Sequence, residues 1–168
     1  MNDKVFHVLF LSRRNSARSV MAEAILNKIG APHFVAYSAG TEPADTIDAE
    51  TRELLEQSGF DVSGLQPRHY REFGLDGARD LDFVFTLNDE ARGEPTPEWP
   101  GVPVTAHWES SDPIQEKGEP WERKQAFSRA MMELDRRLKI LVNLPLASLD
   151  RLSIQNHVDE IGKSKGEV

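Results

Sequence analysis

A polar, cationic segment directly after the first apolar run of the chain carries the side chains best suited to chemistry. It comprises Ser12, Arg13, Arg14, Asn15, Ser16, Ala17, Arg18 and Ser19. A helical pattern begins at Ser19, and N–H groups at a helix start lack intrahelical partners and carry partial positive charge. The segment therefore predicts a loop that binds a phosphate-like oxyanion, with Arg18 donating two hydrogen bonds to it. Each residue alone is equally compatible with a helix cap or a solvated cation, so the prediction depends on the set.

The elements around this loop predict an open sheet. Val5 to Leu11 is short and almost continuously apolar, as expected for a strand buried on both faces of a parallel sheet. The alternation predicts an α/β fold, a three-layer sandwich around a central four-stranded parallel sheet, whose ligands collect beyond the carboxyl ends of the strands. The other predicted strands are His33 to Tyr37, Leu81 to Leu87 and Val102 to His107, and the predicted helices are Ser19 to Ile29, Asp48 to Ser58 and Glu119 to Val142.

Composition limits the classes of function. The net charge of −8, from 20 basic and 28 acidic residues, argues against a surface that binds nucleic acid or anionic membrane. Near the start, no basic region precedes a long apolar run, and Val5 to Leu11 is too short to span a bilayer, so we expect a cytoplasmic protein. The chain has no cysteine, which excludes disulfides, cysteine metal sites and thiolate nucleophiles.

The chain divides by pattern into a domain over residues 1–145 and a C-terminal helical tail over residues 146–168. In the tail, Leu149, Leu152, Val158 and Ile161 recur at helical spacing. Such a helix either packs on the body of its own chain or contacts another subunit in a homodimer, and the sequence leaves both alternatives open.

The run VLFLSRRNSARSVMAEAILN resembles the start of the low-molecular-weight protein tyrosine phosphatases and of the thioredoxin-coupled arsenate reductases with the same fold. Their hallmark is Cys, five residues, Arg, then Ser or Thr, and here Ser12, Arg18 and Ser19 hold those positions. The resemblance implies the flavodoxin-like strand order 2-1-3-4. It spans about Val5 to Val142 and continues through YSAG at 37–40, FVFT at 83–86, TAHW at 105–108 and DP at 112–113, with His107-Trp108 typical of the reductase-like branch.

The resemblance also implies roles for residues outside the hallmark. Asp112 matches the general acid, although an Asp before Pro113 is also common as a turn or helix cap. Asn15 and Ser19 match residues that brace the loop and donate to the nucleophile. Asn15, Glu23 and Ser38 match a potassium site of some relatives, with hydrogen bonds tying the first helix to the second strand as an equal alternative. No other metal and no cofactor are expected.

Further positions depart from the family or have two interpretations. Asn88 and Thr96 hold the expected positions of two further reductase cysteines, so all three thiol positions are vacant. Arg13 and Arg14 replace the small residues usual there and would strengthen the attraction of anions. His107 and Trp108 either line the cleft or form a buried core pair.

Ser12 has two explanations, natural loss of the nucleophile or a laboratory replacement that traps a complex. The main hypothesis is a catalytically impaired family member that binds phosphate, arsenate or a sulfate-like oxyanion in the Ser12–Arg18 loop, with a phosphorylated protein as a candidate partner. The alternative is an active or engineered-trap phosphatase, or an arsenate reductase-like enzyme, whose native nucleophile was Cys at position 12. An interaction module acting through the tail leaves the loop unexplained.

Overall fold

The computed structural model describes residues 4–75, 77–87 and 99–163. Its strands are β1 (Phe6–Ser12), β2 (Phe34–Gly40), β3 (Phe83–Thr86) and β4 (Val104–His107). Its α-helices are α1 (Arg18–Ile29), α2 (Ala49–Gln57), α3 (Pro120–Val142) and α4 (Arg151–Lys163), joined by short 3-10 helices at Tyr70–Phe73, Pro113–Gln115 and Leu146–Ser148. Within the described ranges, no helix is both long and apolar enough to cross a lipid bilayer.

The four strands form one parallel sheet in the order β2-β1-β3-β4, which confirms the predicted α/β fold and strand order. β1 is central, and its residues Val8 to Leu11 are fully buried because both faces of the sheet are covered. The parallel register places Ser12 beside Gly40, and the N–H of Leu87 donates to the carbonyl of Leu11 at 2.9 Å. The segments that follow β1, β2 and β3 therefore meet at one edge of the sheet.

Helices α1, α3 and α4 cover one face of the sheet. The main core there is aromatic as well as aliphatic, and the rings of Phe85 and Trp108 stack with centroids 4.0 Å apart. α1 lies between the sheet and α3, so residues around most of its circumference are buried. On the opposite face, a smaller cluster of Leu9, Leu11 and Val84 packs against the 3-10 helix that begins at Tyr70.

The C-terminal helix α4 packs against β4 of its own chain. Val158 and Ile161 are buried in the main core, and the indole Nε1 of Trp108 donates to the carbonyl of Val158 at 2.9 Å. Gly162 approaches Trp108 so closely that a Cβ at this position would lie 2.6 Å from its Cδ1 atom. Of the two alternatives for the tail, residues 151–163 therefore follow the first, because they pack on the body of their own chain.

The strand limits differ from the sequence prediction, most of all at the end of β2, for a shared reason. The predicted second strand ends at Tyr37, yet Ser38, Ala39 and Gly40 continue β2, because they pair with the last three residues of β1. Conversely, Leu81 and Leu87 lie outside β3 although both are buried. Apolar patterning reports which side chains are buried, whereas the strand limits depend on backbone pairing with neighbours.

Candidate functional site

The backbone of the Ser12–Arg18 loop is fixed along one edge by the segment that follows β2. Four carbonyl oxygens of the loop accept hydrogen bonds from backbone N–H groups of residues 41–48. The pairs are Ser12 with Thr41 at 3.3 Å, Arg13 with Glu42 at 2.8 Å, Arg14 with Ala44 at 2.9 Å and Ser16 with Asp48 at 2.9 Å. Among the described residues, no acceptor engages the N–H groups of Arg14, Ser16 and Ala17. With the carbonyls held outward, these N–H groups are available to a ligand.

Asn15 supplies the backbone conformation that closes the loop. Its φ of 50° lies in the left-handed region, which asparagine tolerates better than most residues. The buried side-chain amide donates from Nδ2 to Ser19 Oγ at 2.8 Å and accepts from the N–H of Arg68 at 2.8 Å. Gly40 packs so closely that a Cβ there would lie 2.5 Å from the carbonyl oxygen of Arg13. Asn15 and Gly40 are thus both matched to the tight path of the loop.

Ser12 lies at the base of the loop with a buried hydroxyl. Its Oγ lies 2.7 Å from the Oγ of Ser19, and the N–H of Asn15 donates to it at 3.3 Å. Neither partner is a base that could remove the Ser12 proton. Two groups able to donate therefore converge on the atom that stands at the nucleophile position, an arrangement suited to stabilising negative charge there.

The Arg18 guanidinium is buried and anchored at the wall of the site. Its Nη1 donates to the carbonyl of Ser110 at 2.6 Å and to that of Leu87 at 3.2 Å. Its Nη2 lies 3.6 Å from the carboxylate of Asp112. The first helical residue of α1 is thus a cation, and Ala17 before it gives no side-chain cap. Both features leave the positive helix end directed at the site.

Asp112 lies across the site from the loop, on the segment between β4 and α3. Its Oδ1 accepts from the N–H of Ile114 at 3.0 Å, and Pro113 begins the short 3-10 helix that fixes the backbone after it. Asp112 is therefore both the cap suggested by the simpler interpretation and a carboxylate beside Arg18.

These groups enclose a cavity of about 670 Å³. Its described lining comprises Ser12, Arg13, Arg14, Asn15, Ser16, Ala17, Arg18, Glu109, Ser110, Asp112, Ile114 and Gln115. The structure therefore brings the loop residues and Asp112 to one cavity, while Ser19 lies behind the loop and bonds to Ser12. Glu109, Ile114 and Gln115 were missed from sequence because no chemical pattern distinguishes them.

The three candidate potassium ligands are tied by internal hydrogen bonds. The Ser38 hydroxyl donates to Glu23 Oε1 at 2.6 Å, and the Asn15 amide bonds to Ser19 and Arg68. Burial raises the pKa of the Glu23 carboxyl above its ordinary value, and the Ser38 hydrogen bond and the Arg68 charge oppose only part of that rise. Among the described residues, no three His, Cys, Asp or Glu side chains group as a metal site.

His107 and Trp108 are absent from the described cavity lining. Trp108 is fully buried in the core, which favours the core interpretation for this residue. His107 is half-buried, and its Nδ1 lies 2.8 Å from the Thr86 hydroxyl. Asn88 and Thr96 lie outside the described residues.

Arg137 is a buried neighbour of the site that the sequence prediction missed. Only 2% exposed, it donates from Nη1 to the carbonyl of Glu109 at 3.0 Å and from Nη2 to that of Gly162 at 3.3 Å. A signal was present, because an arginine three residues after Leu134 falls on the apolar stripe of α3. Arg137 thus connects α3 and α4 to the segment that carries Asp112.

Known proteins are similar to this chain over the part that carries the loop and Asp112. The family model for low molecular weight phosphotyrosine protein phosphatase matches residues 7–153. An arsenate reductase of Halalkalibacterium halodurans is 31% identical over 139 residues, which are 83% of this chain and 95% of that protein. A solved arsenate reductase of Archaeoglobus fulgidus superposes with a TM-score of 0.64 at 29% identity, covering 82% of this chain and 99% of the other.

A solved structure titled an arsenate reductase in the phosphate binding state superposes with a TM-score of 0.67 at 25% identity. That similarity covers 82% of this chain and 97% of the other. The family match includes the loop after β1, all of the described sheet except Phe6, and Asp112. The chain therefore belongs to the low molecular weight phosphotyrosine protein phosphatase family.

Proposed function

We propose that this protein binds a phosphate-like oxyanion in the Ser12–Arg18 loop. The observation that carries the proposal is the outward anchoring of four loop carbonyls on residues 41–48, which leaves the N–H groups of Arg14, Ser16 and Ala17 available at a helix N-terminus. The Arg18 guanidinium adds a fixed cation beside them. A relative described in a phosphate binding state supports the same class of ligand.

The second part of the proposal is that the protein is catalytically impaired. A thiol has a pKa near 8.5 that a cationic helix N-terminus lowers to as little as ~3.5, so a cysteine is available there as thiolate. An alcohol has a pKa far above that of a thiol, so its hydroxyl stays protonated at pH 7 after the same depression. Ser12 would need a general base, and its hydroxyl partners are Ser19 and the Asn15 N–H.

Several relatives are named arsenate reductase, but we do not propose arsenate reduction for this chain. In the reductase branch, thiols carry the electrons and become a disulfide, and this chain has no cysteine. We therefore expect purified protein to turn over arsenate no faster than a control without protein.

Isothermal titration with inorganic phosphate tests the binding proposal. Charge-assisted hydrogen bonds contribute about 1.5–3 kcal/mol each, so Arg18→Ala is expected to weaken phosphate binding about 10- to 100-fold. Arg129→Ala, a change of the same charge outside the described cavity lining, is the matched control and should leave the affinity unchanged. Thermal melting of each variant verifies the fold. Equal phosphate affinity in the parent and a folded Arg18→Ala variant would refute the proposal.

The alternative function is phosphomonoester hydrolysis, either through Ser12 itself or in a protein whose native residue there is cysteine. The retained donors around the Ser12 hydroxyl favour keeping this alternative. Ser12→Cys should raise hydrolysis of p-nitrophenyl phosphate by roughly a thousandfold or more, because it restores the missing member of a catalytic unit. The impaired-enzyme proposal predicts a parent rate near background. High activity in the Ser12 parent would overturn it.

The finer aspects of the proposal concern partner and location. A phosphorylated protein is a candidate partner because its phosphate would present the same oxyanion to the loop. A homodimer through residues 146–168 is a weaker proposal, since Val158 and Ile161 are buried within the chain. The exposed Leu152 is an apolar side chain that such a dimer could contact. Sedimentation of the purified protein at several concentrations tests it. A cytoplasmic location stays a prediction from the sequence.

A further inference from the structure

The cavity is much larger than a single phosphate requires. Its volume of about 670 Å³ falls in the range of pockets that hold drug-sized ligands. Among the described lining residues, Ile114 is the largest apolar side chain and no aromatic ring is present. An aryl group attached to the phosphate would therefore find no stacking partner there. The described lining therefore offers no stacking surface to the rest of the ligand, but it does offer several charged and hydrogen-bonding side chains.

The cations around this cavity differ in how far they are already engaged. Arg18 is held by the carbonyls of Leu87 and Ser110 and lies beside Asp112. Arg13 forms an ion pair with Glu42 at 3.2 Å. Arg14 is exposed and lines the cavity, and no acceptor among the described residues engages its guanidinium.

We infer that Arg14 recognises a second anionic group, so that the ligand is a diphosphate or a compound with two neighbouring phosphates rather than an aryl monophosphate. This inference rests on the proposed binding of one phosphate by the loop. Glu109 and Asp112 line the cavity too and would repel a second anion near them. The second group therefore lies on the loop side, where the guanidinium of Arg14 is available for charge-assisted hydrogen bonds.

Isothermal titration with inorganic phosphate and inorganic diphosphate, at constant ionic strength and with a chelator present, tests this inference. Because a charge-assisted contact is expected to change affinity by about tenfold, the parent should bind diphosphate at least about tenfold more tightly than phosphate. Arg14→Gln should weaken diphosphate binding about tenfold more than it weakens phosphate binding, and so remove most of that preference. Arg129→Gln is the matched control, since it makes the same charge change at an exposed position outside the described cavity lining and should retain the preference.

Each outcome has one meaning. If the parent fails to bind phosphate, the proposed function itself fails. If phosphate binds but diphosphate binds no more tightly, the function stands and this inference is wrong. The inference is also overturned if Arg14→Gln keeps the preference, or if Arg129→Gln loses it equally, because the effect would then be general electrostatics. Both positions are exposed, and thermal melting establishes that each variant is folded before titration.

Discussion

Gly40→Ala tests whether the loop conformation depends on close packing against the end of β2. The added Cβ would lie 2.5 Å from the carbonyl oxygen of Arg13 and 3.1 Å from the Cβ of Asn15. An ordinary contact between such a carbon and a carbonyl oxygen is about 3.3 Å or longer, so the loop must move by roughly 0.8 Å. That movement shifts the backbone whose N–H groups are proposed to bind the anion.

The magnitude follows from two opposing terms. Overpacking costs about 1–3 kcal/mol, and replacing Gly by Ala recovers ~0.4–1 kcal/mol by restricting the unfolded chain. A net loss of about 1–2 kcal/mol should lower the melting temperature by about 2–8 °C for a chain of this size. Scanning calorimetry with and without phosphate should also show that phosphate raises the melting temperature of the variant by less than that of the parent, because the variant binds phosphate more weakly.

Gly64→Ala is the matched control for this experiment. No atom lies within 4 Å of a Cβ built at Gly64. The free energy of unfolding of Gly64→Ala should therefore equal the parent value or exceed it by up to about 1 kcal/mol, because only the restriction of the unfolded chain acts there. If Gly40→Ala melts and binds phosphate as the parent does, the loop is not fixed by this contact and our account of its geometry is wrong.

Two further predictions concern groups outside the loop. Because burial raises the pKa of Glu23, the folded protein holds that proton more tightly than the unfolded chain, so stability should fall as pH rises from the ordinary pKa of 4.5 through the raised value. Glu23→Gln should lack this loss of stability when the free energy of unfolding is measured by denaturant titration at several pH values. If the free energy of unfolding changes with pH by the same amount in both proteins, Glu23 is not the group responsible. Gly162→Ala should destabilise the protein by about 1–3 kcal/mol in urea unfolding, since its Cβ would lie 2.6 Å from Trp108. A melting curve like that of the parent would mean that α4 does not pack on Trp108 in solution.

The sequence was sufficient for those parts of the fold that local pattern determines. β1 was predicted because Val8 to Leu11 form an unbroken apolar run, and α1 because its apolar spacing ends at Gly30, the C-cap in the structure. The end of β2 was not predictable in this way, since Ser38, Ala39 and Gly40 resemble a turn until their pairing partners in β1 are known. Long-range pairing therefore explains the largest boundary error.

The candidate site shows the same division. The family resemblance pointed to Arg18 and Asp112 as site residues, and in the structure Nη2 of Arg18 lies 3.6 Å from Oδ2 of Asp112. Their roles stay predictions. The partners of Arg18 could not be identified, because they are the backbone carbonyls of Leu87 and Ser110, far apart in the chain. A carbonyl carries no signature in a sequence. Arg137 was missed although it falls on the apolar stripe of α3, because the carbonyls that it binds, those of Glu109 and Gly162, likewise leave no trace in the sequence.

The two buried arginines together explain why the position of Asp112 depends on distant parts of the chain. Arg18 holds the carbonyl of Ser110 from the anion site, and Arg137 holds the adjacent carbonyl of Glu109 from the side of α3. Removing a partner from a buried charged group is costly, so the release of either contact is opposed by the loss of a hydrogen bond to a buried guanidinium. The segment that leads to Asp112 is thus fixed from both sides. Since Arg137 also bonds to Gly162, α4 contributes to that position although residues 154–163 lie beyond the family match.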